Sequence, residues 1–494
     1  MTKKIKNFSD AISFKKLLIE IENLVGKDNL NLIEKEDDDS YQRRNVSLFK
    51  CRDIKAIVTP RFIKDIQEII RIFNQNSTNI SLHAISTGRN WGLGSAEPAT
   101  DNVVTLDLRK LSSIRNINCE EGWAIIEPGV TQLKLSQSLD GSKRIFNITA
   151  SSGHTSVLGN ILERGVGLRR QRIEDLVGLE VITPEGELIR VGWWPHPSKN
   201  TAINFLGHGP SLLHLFTQSN LGIVTAAVVK LLPRPEEQKV LRLRFRRDVL
   251  NQSIDLLRRW YAQELISGVL KIYDSVSTES YGGSSDEHLV LLCISGTSAK
   301  VNALTNVIRS EAEESGFFSS ISQSGQSSED SSDFVLQVVE HAYAGDPSWN
   351  EHMLRAATGK DADQVDTEGG GWIFFLAFIP FNGKAVEDAL SIIEKIYHKT
   401  KIRVGITVNA LSSDVIDLVI SIKFSPQPEE TSRAHKTLDL LYELFSEIGF
   451  YPYRLDVDHS HYSNKFFSNS EYEMNKKIKA FLDPKSIISP GRYA

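Results

Sequence analysis

The sequence predicts an α+β protein, on three observations. Residues 54–86 read as a strand, "IKAIVTP", an amphipathic helix, "RFIKDIQEIIRIFNQN", and a second strand, "ISLHAIS". "GLEVITPEGELIRVG" reads as two strands joined in a hairpin around Pro184 and Gly186. Between residues 239 and 450 the order strand, helix, strand, strand, helix occurs twice. The first pattern builds a β-α-β unit, and the repeat builds a second, larger layer of strands covered by helices.

Taken in chain order, "ISFKKLLIEIENLVG" (12–26) has the spacing of a helix, and the acidic turn "EKEDDDS" separates it from the β-α-β unit. Strands "NVVTLDL" and "AIIEPGV" follow, then a helix from about Thr131 to Leu139 and a Gly/Ser-rich region from Ser151. The hairpin and "SNLGIVTAAVVKLLPRP" close this part of the chain. In the repeat, "KVLRLRFR", "NQSIDLLRRWYAQELIS", "VLKIYD", "HLVLLCIS" and "AKVNALTNVIRSEAEES" match "WIFFLAFIP", "AVEDALSIIEKIYHK", "IRVGITV", "VIDLVISIKF" and "SRAHKTLDLLYELFSEIG" in order. Two copies of one order predict a single mixed or antiparallel sheet covered by helices. The stretch between them, "SSISQSGQSSEDSSD" (319–333), is too polar to pack and reads as a mobile surface loop able to act as a lid. From Tyr451 the chain carries no continuation of the repeat.

Composition narrows the function classes. The 494 residues are 40% hydrophobic and 24% charged with a net charge of -5, and no basic patch alternates with aromatics, which argues against a nucleic-acid partner. The basic N-terminus lacks a continuous apolar core, and no run approaches the ~18 apolar residues of a membrane span, so no membrane partner and a cytoplasmic location are expected. Cys51, Cys119 and Cys293 are far apart with no C-x-x-C, indicating neither a disulfide framework nor a zinc ribbon.

The loop "ISTGRNWGLGS" (85–95) carries Gly88, Gly92 and Gly94 between two strand patterns. Glycines allow positive φ and close approach of backbone N–H groups, as in an anion nest. The spacing is neither the Walker nor the Rossmann fingerprint, and a strand rather than a helix follows, so a phosphate nest and a simple turn both remain open.

This loop, then "VVTLDLRKLSSI", "AIIEPGVT", "SVLGNILERGVG", "SNLGIVTAAVVKLLP", "GFYPYR" and "LDPKSIISPGRY" occur in the order and approximate spacing of the vanillyl-alcohol oxidase and p-cresol methylhydroxylase flavoproteins, which the sequence resembles. The resemblance implies an N-terminal helical segment (1–48), a two-subdomain FAD-binding domain of the p-cresol methylhydroxylase type (49–235), a cap over the substrate (236–450) and a C-terminal segment (451–494) returning to the FAD domain. It implies that the backbone of Thr87, Gly88, Arg89, Asn90 and Gly92 binds the pyrophosphate. Pro128, Gly129 and Val130 would line the adenine or ribose side. Ser152, Gly153, Ser156, Gly159 and Asn160 would approach the flavin and its ribityl chain, and Gly222, Ile223 and Val224 the adenosine.

By the same likeness, Tyr453 would hydrogen-bond a substrate oxygen and Arg454 would sit near flavin N1; a plain salt bridge from Arg454 to Asp456, two residues along a strand, is the alternative. Leu93 and Leu168 stand where the phenol oxidases carry tyrosines and Ser151 where some carry a catalytic aspartate, so a p-hydroxybenzylic substrate is disfavoured and a more apolar pocket is expected. "VIDLVISIKF" holds neither histidine nor tyrosine to attach the flavin, so non-covalent FAD is expected. In "RLDVDHSHY", His459 and His461 share a strand face and are read as a catalytic base or substrate contact, a metal pair, or a solvated loop. The implied enzyme moves hydride from an alcohol, amine or activated carbon of a small apolar or aromatic molecule to flavin N5, and then electrons to molecular oxygen or another acceptor. Monomer and homodimer stay open, as do two rivals: a D-2-hydroxy-acid dehydrogenase and a flavin-binding protein without chemistry.

Overall fold

Helix periodicity and strand alternation build three large sheets, a two-stranded ribbon and, among the described residues, three large hydrophobic cores with two smaller clusters. The computed structural model describes residues 2–33, 45–76, 79–204, 208–279, 286–323, 334–466 and 468–493, with side chains from Phe14 onward except that of Phe334. The acidic turn (34–40) and residues 324–333 of the polar stretch lie outside the described residues.

The first sheet holds β1 (Leu30–Leu32), β2 (Ile54–Val58), β3 (Ser81–Ile85) and β4 (Val103–Asp107) in the order β1-β2-β4-β3. β2 and β3 both run parallel to β4, and β1 is antiparallel to β2. The helix Ile63–Gln75 turns Ile66, Ile69, Ile70 and Phe73 onto one buried face, the i, i+3, i+4, i+7 pattern that let the sequence show it. They pack with Leu17, Ile21, Val58 and Leu106, and with Ile487 and Ile488 from the far end of the chain. The glycine loop leaves the carboxyl end of β3, the side on which parallel sheets open toward ligands.

The second sheet is antiparallel throughout: β5 (Ile114–Asn118), β6 (Trp123–Ile126), β8 (Leu176–Ile182), β9 (Leu188–Gly192) and β10 (Ile223–Lys230), ordered β5-β6-β10-β8-β9. A short ribbon of β7 (Arg144–Ile145) and β11 (Leu232–Pro233) lies beside it.

The third sheet has eight strands: β12 (Glu237–Arg246), β13 (Lys271–Tyr273), β14 (Glu287–Gly296), β15 (Phe318–Gln323), β16 (Gly371–Pro380), β17 (Val404–Ala410), β18 (Val415–Phe424) and β19 (Pro452–Arg454). Their order is β15-β12-β14-β13-β17-β18-β16-β19, so each half reads fourth, first, third, second of its own repeat, and the two second strands meet at the centre. Every neighbouring pair is antiparallel, and the mixed alternative is not what forms. The helix after each first strand carries the chain over the third strand, which inserts between the two co-directional strands.

Two expectations need correction. The start of the polar stretch, residues 319–323, belongs to the edge strand β15 (Phe318–Gln323), because Phe318 stacks on Trp260 and Ile321 packs beside the same core. The chain past Tyr451 does continue the repeat: β19 pairs with β16 and supplies its missing fourth strand.

The strands β16–β18 have two different faces. Ile373, Phe375 and Ala377 of β16, Val404, Ile406 and Val408 of β17, and Ile416, Leu418, Ile420 and Ile422 of β18 point into a core closed by the helices Leu250–Ala262, Gly383–Thr400 and Pro428–Glu447. The alternate positions point the other way, toward the first two sheets. Among the described residues no helix is long and apolar enough to cross a membrane.

Candidate active site

The outward positions of those strands roof a cavity of about 690 Å³: Trp372, Phe374 and Leu376 of β16, Gly405, Thr407 and Asn409 of β17 with Arg403 just before it, Asp417, Val419, Ser421 and Lys423 of β18, Tyr453 and Arg454 of β19, and Lys271 and Tyr273 of β13. In β13 and β16–β18 every second residue serves, as the pleat requires, whereas β19 at the edge contributes two consecutive residues. The floor comes from the glycine loop, from residues 149–168 and from residues 216–224.

The loop is pinned from above. Gly92 and Gly94 have φ of 78° and 117°; a Cβ on Gly92 would lie 2.3 Å from the Phe374 ring, and one on Gly94 2.6 Å from Val457. Both positions need glycine for conformation and for space. Asp366, from the segment between the two repeats, accepts hydrogen bonds from the Ser95 hydroxyl (2.6 Å), the Val46 amide (2.9 Å) and the Trp91 indole (3.0 Å). Burial pushes its carboxyl up, against the opposing pull of those donors. In contrast, no acceptor among the described residues takes the backbone N–H groups of Thr87 through Gly92. Nearby, Glu351 accepts from the Ser152 hydroxyl (2.6 Å) and the Gly153 amide (2.8 Å), and Asn350 donates to the Thr149 and Ser151 carbonyls at 2.9 and 2.7 Å.

At the buried end of the roof, three side chains stand in a line across three strands. Lys271 Nζ donates to Asn409 Oδ1 at 2.5 Å, and Asn409 Nδ2 donates to Asp417 Oδ2 at 3.2 Å. The Tyr453 hydroxyl donates to the same carboxylate at 3.4 Å, its ring stacked on Phe378 at 4.4 Å. Burial pushes the Asp417 carboxyl up to about 7 and the Lys271 ammonium down to about 8. Asp417 Oδ1 is buried without a hydrogen-bond partner. Arg454 donates to Asn90 Oδ1 at 2.8 Å and keeps a buried Nε with no hydrogen bond, 3.9 Å from Glu163. Glu163 also accepts from the Tyr493 hydroxyl at 2.5 Å and lies 3.7 Å from Arg492, another cavity residue.

Of the residues expected to hold the cofactor, Thr87, Gly88, Arg89, Asn90, Pro128, Ser152, Ser156, Gly159, Asn160, Gly222, Ile223 and Val224 line this cavity, together with Tyr453 and Arg454. Gly92, Gly129, Val130 and Gly153 do not: Gly92 is pressed under Phe374, and a Cβ on Gly129 would lie 2.2 Å from the Arg109 carbonyl. Val130 is fully buried in the second core, and the Gly153 amide is taken by Glu351. Leu93, Ser151 and Leu168 line the cavity.

His459 and His461 do not line it. They sit on no strand; the chain turns after Asp458 into a short 3-10 helix, Ser460–Tyr462. His459 is held between Asp456 (2.9 Å) and Asp439 (3.0 Å), while His461 is exposed with its Nδ1 against the Asp458 carbonyl. Nor does Arg454 pair with Asp456, whose carboxylate accepts from Tyr442 at 2.8 Å and meets His459. Among the described residues no group of three His, Cys, Asp or Glu is arranged to hold a metal ion. The reading of residues missed Lys271, Asn409, Asp417, Glu163 and Arg492. The one available signal was Asp417, a lone charge inside the apolar "VIDLVISI".

Burial alone would lower the His459 pKa, but the hydrogen bonds and charges of Asp456 and Asp439 outweigh it and raise it. A raised folded pKa gives stability that is full below the unfolded value of about 6.5 and fades as pH rises through the folded one. His459→Ala should therefore cost about 1–3 kcal/mol of stability near pH 6 and less above neutrality. Thermal denaturation across pH checks this; a loss that grows with pH would contradict the ion-pair account.

Residues 54–192 match the family described as FAD binding domain. Over 89% of this chain and 90% of its own length, the 1'-carboxy-chondrochloren decarboxylase of Chondromyces crocatus is 27% identical. The 4-cresol dehydrogenase [hydroxylating] flavoprotein subunit of Pseudomonas putida is 24% identical over 97% of this chain and 95% of its own. The substrate-bound structure of p-cresol methylhydroxylase superposes with a TM-score of 0.85 at 22% identity, covering 97% of this chain and 96% of that one. The protein is thus an FAD-dependent oxidoreductase acting on a small molecule, with an FAD-binding domain at residues 54–192 and the fold of p-cresol methylhydroxylase.

Proposed function

We propose that the cavity holds FAD without a covalent bond, its pyrophosphate on the amides of Thr87–Gly92 and its ring system under the roof, and that a small apolar or aromatic substrate is oxidised beneath β16–β19. The observation that carries this reading is one continuous cavity joining a row of five residues with free amides, Thr87 to Trp91, to a buried, partly unpaired polar cluster. Free amides in a row suit an anion. The volume lies within the roughly 300–1,000 Å³ of ligand sites. The unpartnered buried Asn160 Oδ1 and Arg454 Nε are polar atoms that await a ligand. When bound, the flavin supplies a two-electron acceptor for hydride.

The chain's own part is to orient the substrate and to take its proton. Tyr453 donates toward Asp417, so its oxygen is free to accept from a substrate O–H or N–H. Asp417 then receives a proton on Oδ2 from the Tyr453 hydroxyl as that hydroxyl takes the substrate's. Arg454, anchored by Asn90, keeps positive charge beside the ring system. Leu93, Leu168, Leu376 and Phe374 exclude water from the reacting carbon. In a second reading, favoured by the decarboxylase relative, the electron pair of the new double bond comes from a C–C bond to a carboxylate. Carbon dioxide then leaves in place of the proton, and no base is required.

Acid precipitation of the holoprotein should release all the flavin: among the described residues the histidine and tyrosines lining the cavity are His83, Tyr273 and Tyr453, of which His83 meets Ser489 and Tyr453 is engaged with Asp417. Yellow colour staying with the pellet would mean a covalent link. In stopped-flow reduction by an alcohol or amine, the rate should rise as pH passes about 7, where Asp417 ionises. Asp417→Asn should slow reduction by about 100-fold or more and abolish that rise, with FAD still bound. A variant with an unchanged pH profile would put the base elsewhere, and release of carbon dioxide during reduction would favour the second reading.

A further inference from the structure

The buried lysine of the roof has a charge and no ion-pair partner. Lys271 is 6% exposed, yet no carboxylate oxygen among the described residues lies within 4.0 Å of its ammonium. Its one hydrogen bond goes to the neutral Asn409 amide. An ammonium carries three donors, so two remain for the cavity.

The sheet register creates this state. Lys271 pairs across strands with Asn409, and Asn409 with Asp417, so the acid stands two strands away from the lysine. Two strand spacings are about 10 Å at the backbone, too far for the two charges to collapse into a salt bridge. Asn409 fills the gap, its carbonyl toward the cation and its amide toward the acid. A desolvated cation without a counter-charge is costly, and such a site is stabilised by an anion that arrives with the ligand. The other roof cations differ. Arg454 is tied to Asn90 and Glu163, Arg492 to Glu163, while Arg403 and Lys423 are exposed at the opposite end of their strands.

We propose that Lys271 seats the carboxylate of an organic-acid substrate, so that this enzyme oxidises a small acid with an apolar or aromatic body. The inference rests on the reading of the cavity as the flavin and substrate site. The carboxylate takes the two open N–H donors of Lys271, and the body lies along the apolar lining at Leu168 and Leu376. Leu168 and Lys271 line the same cavity, and the Leu168 carbonyl accepts the amide of Val269, two residues before the lysine, at 2.8 Å.

The groups around Lys271 set the pH response: Asn409 from β17, Asp417 from β18 and Tyr273 on its own strand, with Tyr453 and Arg454 from β19 acting on Asp417. Raising pH ionises Asp417 near 7 and discharges Lys271 near 8. Both changes disfavour an incoming anion.

The test uses FAD-loaded protein and two matched probe pairs: 3-phenylpropanoate with 3-phenylpropanamide, and cinnamate with cinnamamide. Binding is read by perturbation of the visible flavin band and by calorimetry. Each carboxylate should bind at least about ten-fold more tightly than its amide near pH 6.5 and lose that advantage toward pH 9. Lys271→Met should abolish the preference, Lys423→Met should keep it, and Asp417→Asn should keep it to higher pH. Equal binding of acid and amide, no binding of either, a preference that survives Lys271→Met, or a Lys271→Met variant altered only in FAD affinity would each overturn the proposal. Flavin retention on gel filtration reports separately: protein that fails to hold FAD refutes the cavity reading, whereas protein that holds FAD without acid preference refutes the role of Lys271 alone.

Discussion

Successive side chains of a strand point to opposite faces, and the rest of this site depends on that constraint. In β16, β17 and β18 the odd or even set of each strand closes an apolar core, and the other set roofs the cavity. The pairing register then decides which roof residues meet. Lys271, Asn409 and Asp417 align because β13, β17 and β18 are paired where they are; a one-residue slip of β17 would turn Asn409 into the core and Val408 toward the cavity. The large core on the far side makes such a slip expensive, so the burial of Ile406, Leu418 and Ile420 fixes the chemistry on the opposite face.

The floor is joined to the roof by contacts that leave little freedom. Gly92 and Gly94 bring the loop backbone against Phe374 and Val457, and the Phe374 amide donates to the Gly92 carbonyl at 2.9 Å. Asp366 ties three donors of residues 46–95 to the segment between the repeats, and Glu351 ties the Ser152 turn to the same segment. Among the described residues the amides of Thr87 through Gly92 have no acceptor, and Thr87 through Trp91 line the cavity. The C-terminal stretch completes the enclosure: β19 edges the roof, Arg492 reaches the cavity, and Ile487 and Ile488 anchor the chain in the first core.

Much of this was legible in the sequence, for local reasons. The β-α-β unit, the hairpin and the duplicated order rest on periodicity and turn residues that act within about ten positions. The glycine loop was ambiguous alone, and the ordered motifs downstream resolved it toward a cofactor. What stayed hidden was non-local. Lys271 and Asn409 are 138 residues apart, and Asp417 looked like one polar residue in an apolar strand. Their meeting depends on strand order, which periodicity does not encode. The "DHSH" cluster misled in the opposite direction: adjacent histidines and aspartates suggested chemistry, but the turn after Asp456 folds His459 back into its own ion pair. Leu93 and Leu168, expected to make the pocket more apolar, both line the cavity.

The central claim is that one cavity, floored by the glycine loop and roofed by β16–β19, holds both flavin and substrate. A crystal structure of the FAD-loaded protein tests it most directly. The account predicts pyrophosphate density on the amides of Thr87–Gly92 and the flavin ring beneath Asp417, Tyr453 and Arg454. Flavin density outside the roof, or a pyrophosphate that leaves those amides free, would contradict it.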